Sequence, residues 1–126
     1  QVELEWLSWS KDTNDNLRWF LDTRSTNTGT PAVRQESAGV TDAVLGADVY
    51  GSGVNTPFNV ATRSSLVLVN IAANGTASTA DTTPTAIADL SATDLALVVS
   101  GGPLIISKFR IWAEDIGDAG IEEASS

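Results

Sequence analysis

The chain of 126 residues contains no cysteine, no histidine and no methionine. Without cysteine it has no disulfide and no thiolate metal site, and without histidine it has neither a Ser-His triad nor the commonest zinc ligand. Basic residues are also few: seven face sixteen acidic ones, for a net charge of −9. Because that sign opposes binding to phosphate backbones, we expect no nucleic-acid partner.

Long apolar runs are missing as well. The longest, at 66–69 and 95–99, fall far short of the ~20 residues that a membrane helix needs, and the opening residues lack the basic region of a signal peptide. We therefore expect no membrane insertion. A hydrophobic fraction of 42% over 126 residues suits one compact domain spanning 1–126. Since the chain opens on Gln1 rather than Met, we expect it to be a piece of a longer protein.

Alternation with a period of two dominates the chain and predicts β-strands rather than helices. Strands are expected at 2–6, 17–22, 66–71, 95–99 and 105–112. In the last of these, Ile105, Phe109 and Ile111 share one face. Such short strands, separated by turn signals, predict an all-β fold: a two-sheet antiparallel β-sandwich.

Two local signals supplement this pattern. Asn74-Gly75 tolerates positive φ at both central turn positions and predicts a two-residue hairpin. At the end of the chain, Asp118 is a candidate cap for a short helix over 119–124, because a carboxylate can accept from the N–H groups of a first turn.

Over 66–121 the sequence combines the Asn74-Gly75 hairpin, the strand Leu95-Ala-Leu-Val-Val-Ser100 with its Gly-Gly-Pro turn, and the closing Ile-Ser-Lys-Phe-Arg-Ile-Trp112 with Asp118-Ala119 at a short helix. In these features the second half of the sequence resembles the laminin-G-like, concanavalin A-type jelly-roll module. The resemblance implies a jelly-roll, concanavalin A-like version of the sandwich.

Modules of this kind occur at the receptor-facing ends of bacteriophage tail fibres and spikes, on head spikes of gene transfer agents, and in extracellular lectins. The resemblance thus implies a non-catalytic, lectin-like module that binds cell-surface polysaccharide for host attachment, located outside the cell or on a virion surface. It also implies a homo-oligomer, a trimer formed through a parent fibre. The alternative is a structural or oligomerisation module of a virion fibre or capsid-associated protein, without a ligand.

Sugar recognition needs an aromatic surface and a few placed polar groups. Tyr50, flanked by Gly51 and Gly53, and Trp9, near the end of the first strand, are the candidate aromatics, although either could be core packing. The candidate partners for sugar hydroxyls are Arg34, Asn55 and Arg63.

Asp12, Asn14 and Asp15 form the best cluster of oxygen ligands for a metal, and Ca²⁺ is the ion that such ligands suit. The spacing imitates the start of an EF-hand loop. Leu17 stands where that loop needs glycine, and Thr23 where it needs glutamate. A solvated turn between strands is the simpler interpretation, and no cofactor is otherwise expected.

Glu3 and Glu5 are the carboxylates whose spacing along one strand suits a glycosidase pair, which needs roughly 5 to 10 Å. No third carboxylate extends the pattern. We interpret them as solvated charges on an edge strand, which discourage edge-to-edge pairing, and expect no enzyme activity.

Overall fold

A computed structural model describes residues 3–22, 29–50, 57–100 and 105–126. Within these ranges the elements are β1 (Glu3–Ser10), β2 (Asn16–Asp22), β3 (Thr30–Ser37), β4 (Val40–Leu45), β5 (Val60–Ser64), β6 (Val69–Ala73), β7 (Thr76–Ala77), β8 (Leu95–Ser100) and α1 (Gly117–Ala124). One sheet has the order β4-β3-β2-β1-β8 and the other the order β5-β6-β7, both antiparallel. The predicted all-β sandwich with a short C-terminal helix is confirmed.

The core lies between the two sheets and is built from cross-strand rows. One row on the inner face of the larger sheet runs through Leu97, Leu7, Trp19, Val33 and Val44, one residue from each strand. The smaller sheet contributes Val69 and Ile71 to the same cluster. These rows explain why strands so short hold together: Leu7, Trp19 and Val33, on the three interior strands, each have an apolar neighbour on both sides.

β1 carries a bulge that the alternation of the sequence did not predict. The register shifts between Glu5 and Leu7, so the inward face changes from even to odd residues. As a result Leu7 and Trp9 face the core, while Trp6 is half-buried with its ring edge against Phe58, 6.4 Å between centroids.

The Asn-Gly hairpin is confirmed. Asn74 and Gly75 have φ of 47° and 79°, and the turn joins β6 to β7 with Ala73 opposite Thr76.

The predicted strand at 105–112 is wrong. The segment has no regular secondary structure, and Ile105 is 93% exposed. Its alternation suits a strand, but a strand needs a neighbour to bond with, and no described strand pairs with it. The predicted strand at 66–71 begins only at Val69, leaving Leu66 and Val67 exposed.

The terminal helix is confirmed, but its predicted cap is wrong. Ile116 occupies the N-cap position without a side-chain cap bond, and Asp118 lies one residue inside the helix. The Asp118 carboxylate instead accepts from Arg63 and from Asn70 Nδ2, the latter at 2.9 Å. Asp118 therefore ties the helix to the smaller sheet rather than capping it.

Candidate functional site

A cavity of about 420 Å³ opens at one end of the sandwich. Its floor is the inner face of the larger sheet, and its walls are the chain after β5 and the connection before β8. The lining residues are Trp9, Leu17, Gln35, Ser64, Ser65, Leu66, Ile87, Ala88, Asp89, Leu90 and Ser91.

Three adjacent strands form the floor. Trp9 on β1 lies opposite Leu17 on β2, and Leu17 lies opposite Gln35 on β3. Since directly opposite residues in an antiparallel sheet have Cβ atoms about 5 Å apart, these side chains form one continuous strip. The bulge in β1 is what directs Trp9 into this strip.

Side chains of the larger sheet fasten the connection over the floor. Gln35 Nε2 donates to the Thr85 carbonyl, Ser37 Oγ donates to the Ala86 carbonyl at 2.8 Å, and Trp9 Nε1 donates to the Thr93 carbonyl at 3.0 Å. The wall is thus attached at both ends and does not depend on a ligand for its position.

Gln35 is the unusual residue of the cavity. Its side chain is fully buried, and its carbonyl oxygen Oε1 has no hydrogen-bond partner in the described part of the chain. Leaving a buried acceptor unpaired costs about 1–3 kcal/mol, so most buried side-chain oxygens are bonded. Gln35 Oε1 is therefore an acceptor in the floor of the cavity that is closed to solvent and for which the described residues supply no donor.

The rim carries one charge and one exposed apolar side chain. Asp89 Oδ1 accepts from the Ser91 amide at 2.9 Å, and hydrogen bonds from Ser91 hold the pKa of Asp89 below its usual range. Leu66 is 61% exposed. The site therefore combines a negative rim with an apolar interior.

The two aromatic residues predicted from sequence lie in different places. Trp9 lines the cavity. Tyr50 instead packs beside Leu21, at the other end of β2, with its ring 5.9 Å from that of Phe58 in an edge contact. Gly29 allows this packing, because a Cβ there would lie 2.3 Å from the Tyr50 ring. The structure does not bring Trp9 and Tyr50 together.

The two predicted hydroxyl partners that the structure describes, Arg34 and Arg63, are not at the cavity. Arg34 points to the outer face of its sheet, with its guanidinium 5.2 Å from the Phe20 ring and 3.4 Å from Glu3 Oε1. Arg63 is bound to carboxylates that precede or belong to α1. Asn55 lies outside the described residues.

The predicted metal ligands organise their own loop. Asp12 Oδ1 accepts from the amides of Asn14 and Asp15 at 2.7 and 3.0 Å, and Asp15 Oδ1 accepts from the Ala38 amide at 3.0 Å. This pattern fits the solvated-turn interpretation. In the residues the structure describes, no group of three or more carboxylates is arranged to hold a metal ion.

The interpretation of Glu3 and Glu5 as edge-strand charges is wrong. β1 lies between β2 and β8, so it is an interior strand. Glu5 is buried and forms an ion pair with Arg18. The two carboxylates lie on the outer face, away from the cavity, and form ion pairs with Arg18 on β2 and Arg34 on β3.

A second depression, of about 720 Å³, lies between β4 and the chain after β7. It is lined by Ala43, Val44, Leu45, Ala77, Ser78, Thr79, Ala80 and Asp81. We prefer the smaller cavity as the functional site, because it has an aromatic floor and an unpaired buried acceptor.

Sequence reasoning identified Trp9 but missed Gln35. The available signal was its place in β3, where Val33 and Gln35 share the inward face. A polar residue at an inward position marks either a structural hydrogen bond or a candidate site; Gln35 donates to the Thr85 carbonyl and also lines the cavity.

Comparisons with protein-family models, with curated proteins and with solved structures gave no match. Over the described ranges, no helix has the length and hydropathy needed to cross a membrane. The functional argument therefore rests on the geometry of the site.

Proposed function

We propose that the protein is a non-catalytic carbohydrate-binding module, and that the cavity over Trp9, Leu17 and Gln35 holds one residue of a cell-surface polysaccharide. The observation that carries this proposal is a cavity with the Trp9 ring in its floor and, beneath the lining, the unpaired carbonyl oxygen of Gln35.

A sugar residue has the two properties that the cavity complements. Its C–H face is apolar and suits the Trp9 ring, whose only polar atom is already bonded to the Thr93 carbonyl. Its hydroxyl groups are donors, and one of them would satisfy Gln35 Oε1 where ligand binding uncovers that atom, which the free chain keeps from solvent. A volume of about 420 Å³ lies within the usual 300–1,000 Å³ of small-molecule sites.

The charge at the rim favours a neutral sugar. Asp89 is the one carboxylate among the described residues that line the cavity, and its lowered pKa keeps it ionised. A carboxylate accepts readily from hydroxyl groups but repels another anion. We therefore propose a neutral polysaccharide as the ligand.

Binding without cleavage is the chemistry that this lining supports. Glycoside hydrolysis ordinarily needs two carboxylates flanking the bond, whereas the described lining supplies Asp89 alone. The resemblance to phage fibre and spike modules favours a role in host attachment, outside the cell or on a particle surface.

The test is binding of the whole chain to an array of bacterial surface polysaccharides. Leu66→Asp places a charge at the rim, and Val67→Asp is its matched control, because Val67 is 70% exposed and does not line the cavity. We expect binding to fall at least tenfold in Leu66→Asp and to persist in Val67→Asp. Absence of binding to any neutral glycan, or equal binding by both variants, would overturn the proposal.

A further inference from the structure

The inner face of the larger sheet is incompletely covered at β8. In the row Leu97, Leu7, Trp19, Val33 and Val44, the last four side chains are at most 9% exposed, whereas Leu97 is 60% exposed. All five face the same side of the sheet. The difference therefore comes from what lies above them, not from the direction in which they point.

The smaller sheet stops before it reaches Leu97. Trp19 Nε1 donates to Thr62 Oγ1 at 2.7 Å, which places β5 over β2, and β6 contacts β3 and β4. β5 is an edge strand with no neighbour on its outer side among the described strands. Beside it, over Leu97, no strand lies in the part of the chain that the structure describes.

The same molecule carries an unused strand-like segment at 105–112. Ile105, Ile111 and Phe109 alternate along it and are 93%, 66% and 48% exposed. The segment also contains Lys108 and Arg110 and no acidic residue, in a chain whose net charge is −9. It is thus apolar on one face and opposite in charge to the rest of the molecule.

We propose that two copies of this chain associate by exchanging the segment 105–112, which adds to the outer edge of β5 in the other copy and covers Leu97 there. An open strand edge and an exposed strand-like segment that do not pair within one molecule are complementary surfaces for a second copy. Eight residues in a strand span about 26 Å, enough to cover the five residues of β5.

Charge makes a second copy the favoured occupant of the edge. Arg63 on β5 binds both Asp115 and Asp118, and Asp94 immediately precedes β8, so negative charges outnumber positive ones among these groups. Lys108 and Arg110 of an incoming segment suit those groups. Reciprocal exchange would bury on the order of 1,000 Å² or more, which reaches the range of specific interfaces.

The experiment is sedimentation velocity of the whole chain over a range of concentrations. We expect a dimer that Ile111→Asp and Phe109→Asp each weaken at least 100-fold. Val40→Asp is the control. Val40 is 51% exposed on β4, the edge strand of the larger sheet that lies farthest from β8, so this variant should leave the dimer intact. Circular dichroism and urea unfolding establish that each variant folds.

Hydrogen exchange identifies the edge that is used. In the dimer the amides of 105–112 and of β5 should be protected, and in Ile111→Asp this protection should be lost. A chain that is monomeric at every concentration overturns the proposal; if 105–112 is protected in that monomer, the segment docks on its own chain. A dimer insensitive to Phe109→Asp and Ile111→Asp overturns it as well. Glycan binding is measured separately on the same variants, so failure here leaves the cavity proposal standing.

Discussion

Arg63 binds both carboxylate oxygens of Asp115, with Nε and Nη2 each 2.6 Å from one of them. The hydrogen bond from Arg63 is the largest cause that lowers the pKa of Asp115 to about 2. The pKa of Asp118 is lowered too, first by Asn70 and then by Arg63. Arg63, whose own pKa is raised mainly by Asp115, therefore joins β5 to the start of α1.

This arrangement predicts how stability depends on pH. A carboxyl group whose pKa is lower in the folded state stabilises the fold above its unfolded pKa of about 4, and this stabilisation is lost as the pH falls through the folded value. We expect the urea midpoint to fall between pH 4 and pH 2. In Arg63→Met the midpoint should be lower at pH 6, and the gap to the native chain should narrow toward pH 2. An equal gap at both pH values would contradict this.

Gln35→Met should separate stability from binding. The substitution loses the bond to the Thr85 carbonyl but also removes the unpaired Oε1, so we expect the free energy of unfolding to change by less than about 1 kcal/mol. Glycan binding should fall at least tenfold. Ser37→Ala loses its bond to the Ala86 carbonyl and removes no unpaired acceptor. It should therefore lower the free energy of unfolding by about 1 kcal/mol and retain glycan binding. Urea unfolding and glycan titration measure both quantities.

Ile121→Ala should release α1 from the smaller sheet. Ile121 is fully buried against Ala61 and Ala72, and truncation of such a side chain costs about 2–5 kcal/mol. Glu123→Ala, at an exposed position of the same helix, should change stability by less than about 0.5 kcal/mol. Similar urea midpoints for the two variants would show that the helix contributes little to the fold.

Gly75→Ala should test the hairpin turn. Gly75 has φ of 79°, while a Cβ there would meet Ser126 only at an ordinary contact distance of 3.5 Å. The cost therefore comes from backbone conformation, and we expect a loss of about 1 kcal/mol. Asn74→Gly keeps positive φ accessible and serves as the control in thermal unfolding.

The sequence was sufficient for fold class because turn signals and alternation are local. The Asn-Gly hairpin and β8 followed directly from such signals. β3 was missed because its inward face includes a buried amide, Gln35, held by a connection fifty residues away. The segment 105–112 shows the opposite failure: its pattern is that of a strand, but pattern alone does not provide a partner.

The site was only partly predictable for the same reason. Trp9 was recognised as an aromatic near the end of a strand, yet its orientation depends on a bulge that the sequence does not signal. Tyr50 has glycine neighbours in the sequence and looked exposed, but it fills a space beside Gly29. Which polar residue meets Trp9 depends on strand pairing, and pairing is decided by the whole fold.

The central position of β1 has a consequence for how the chain folds. β1 pairs with β2, which follows directly, and also with β8; its Trp9 bonds to Thr93, 84 residues away. Closing so long a loop is entropically costly, and folds dominated by distant contacts form slowly. During synthesis β1 therefore pairs first with β2 alone. Its other edge stays open to incorrect pairing until β8 has been synthesised.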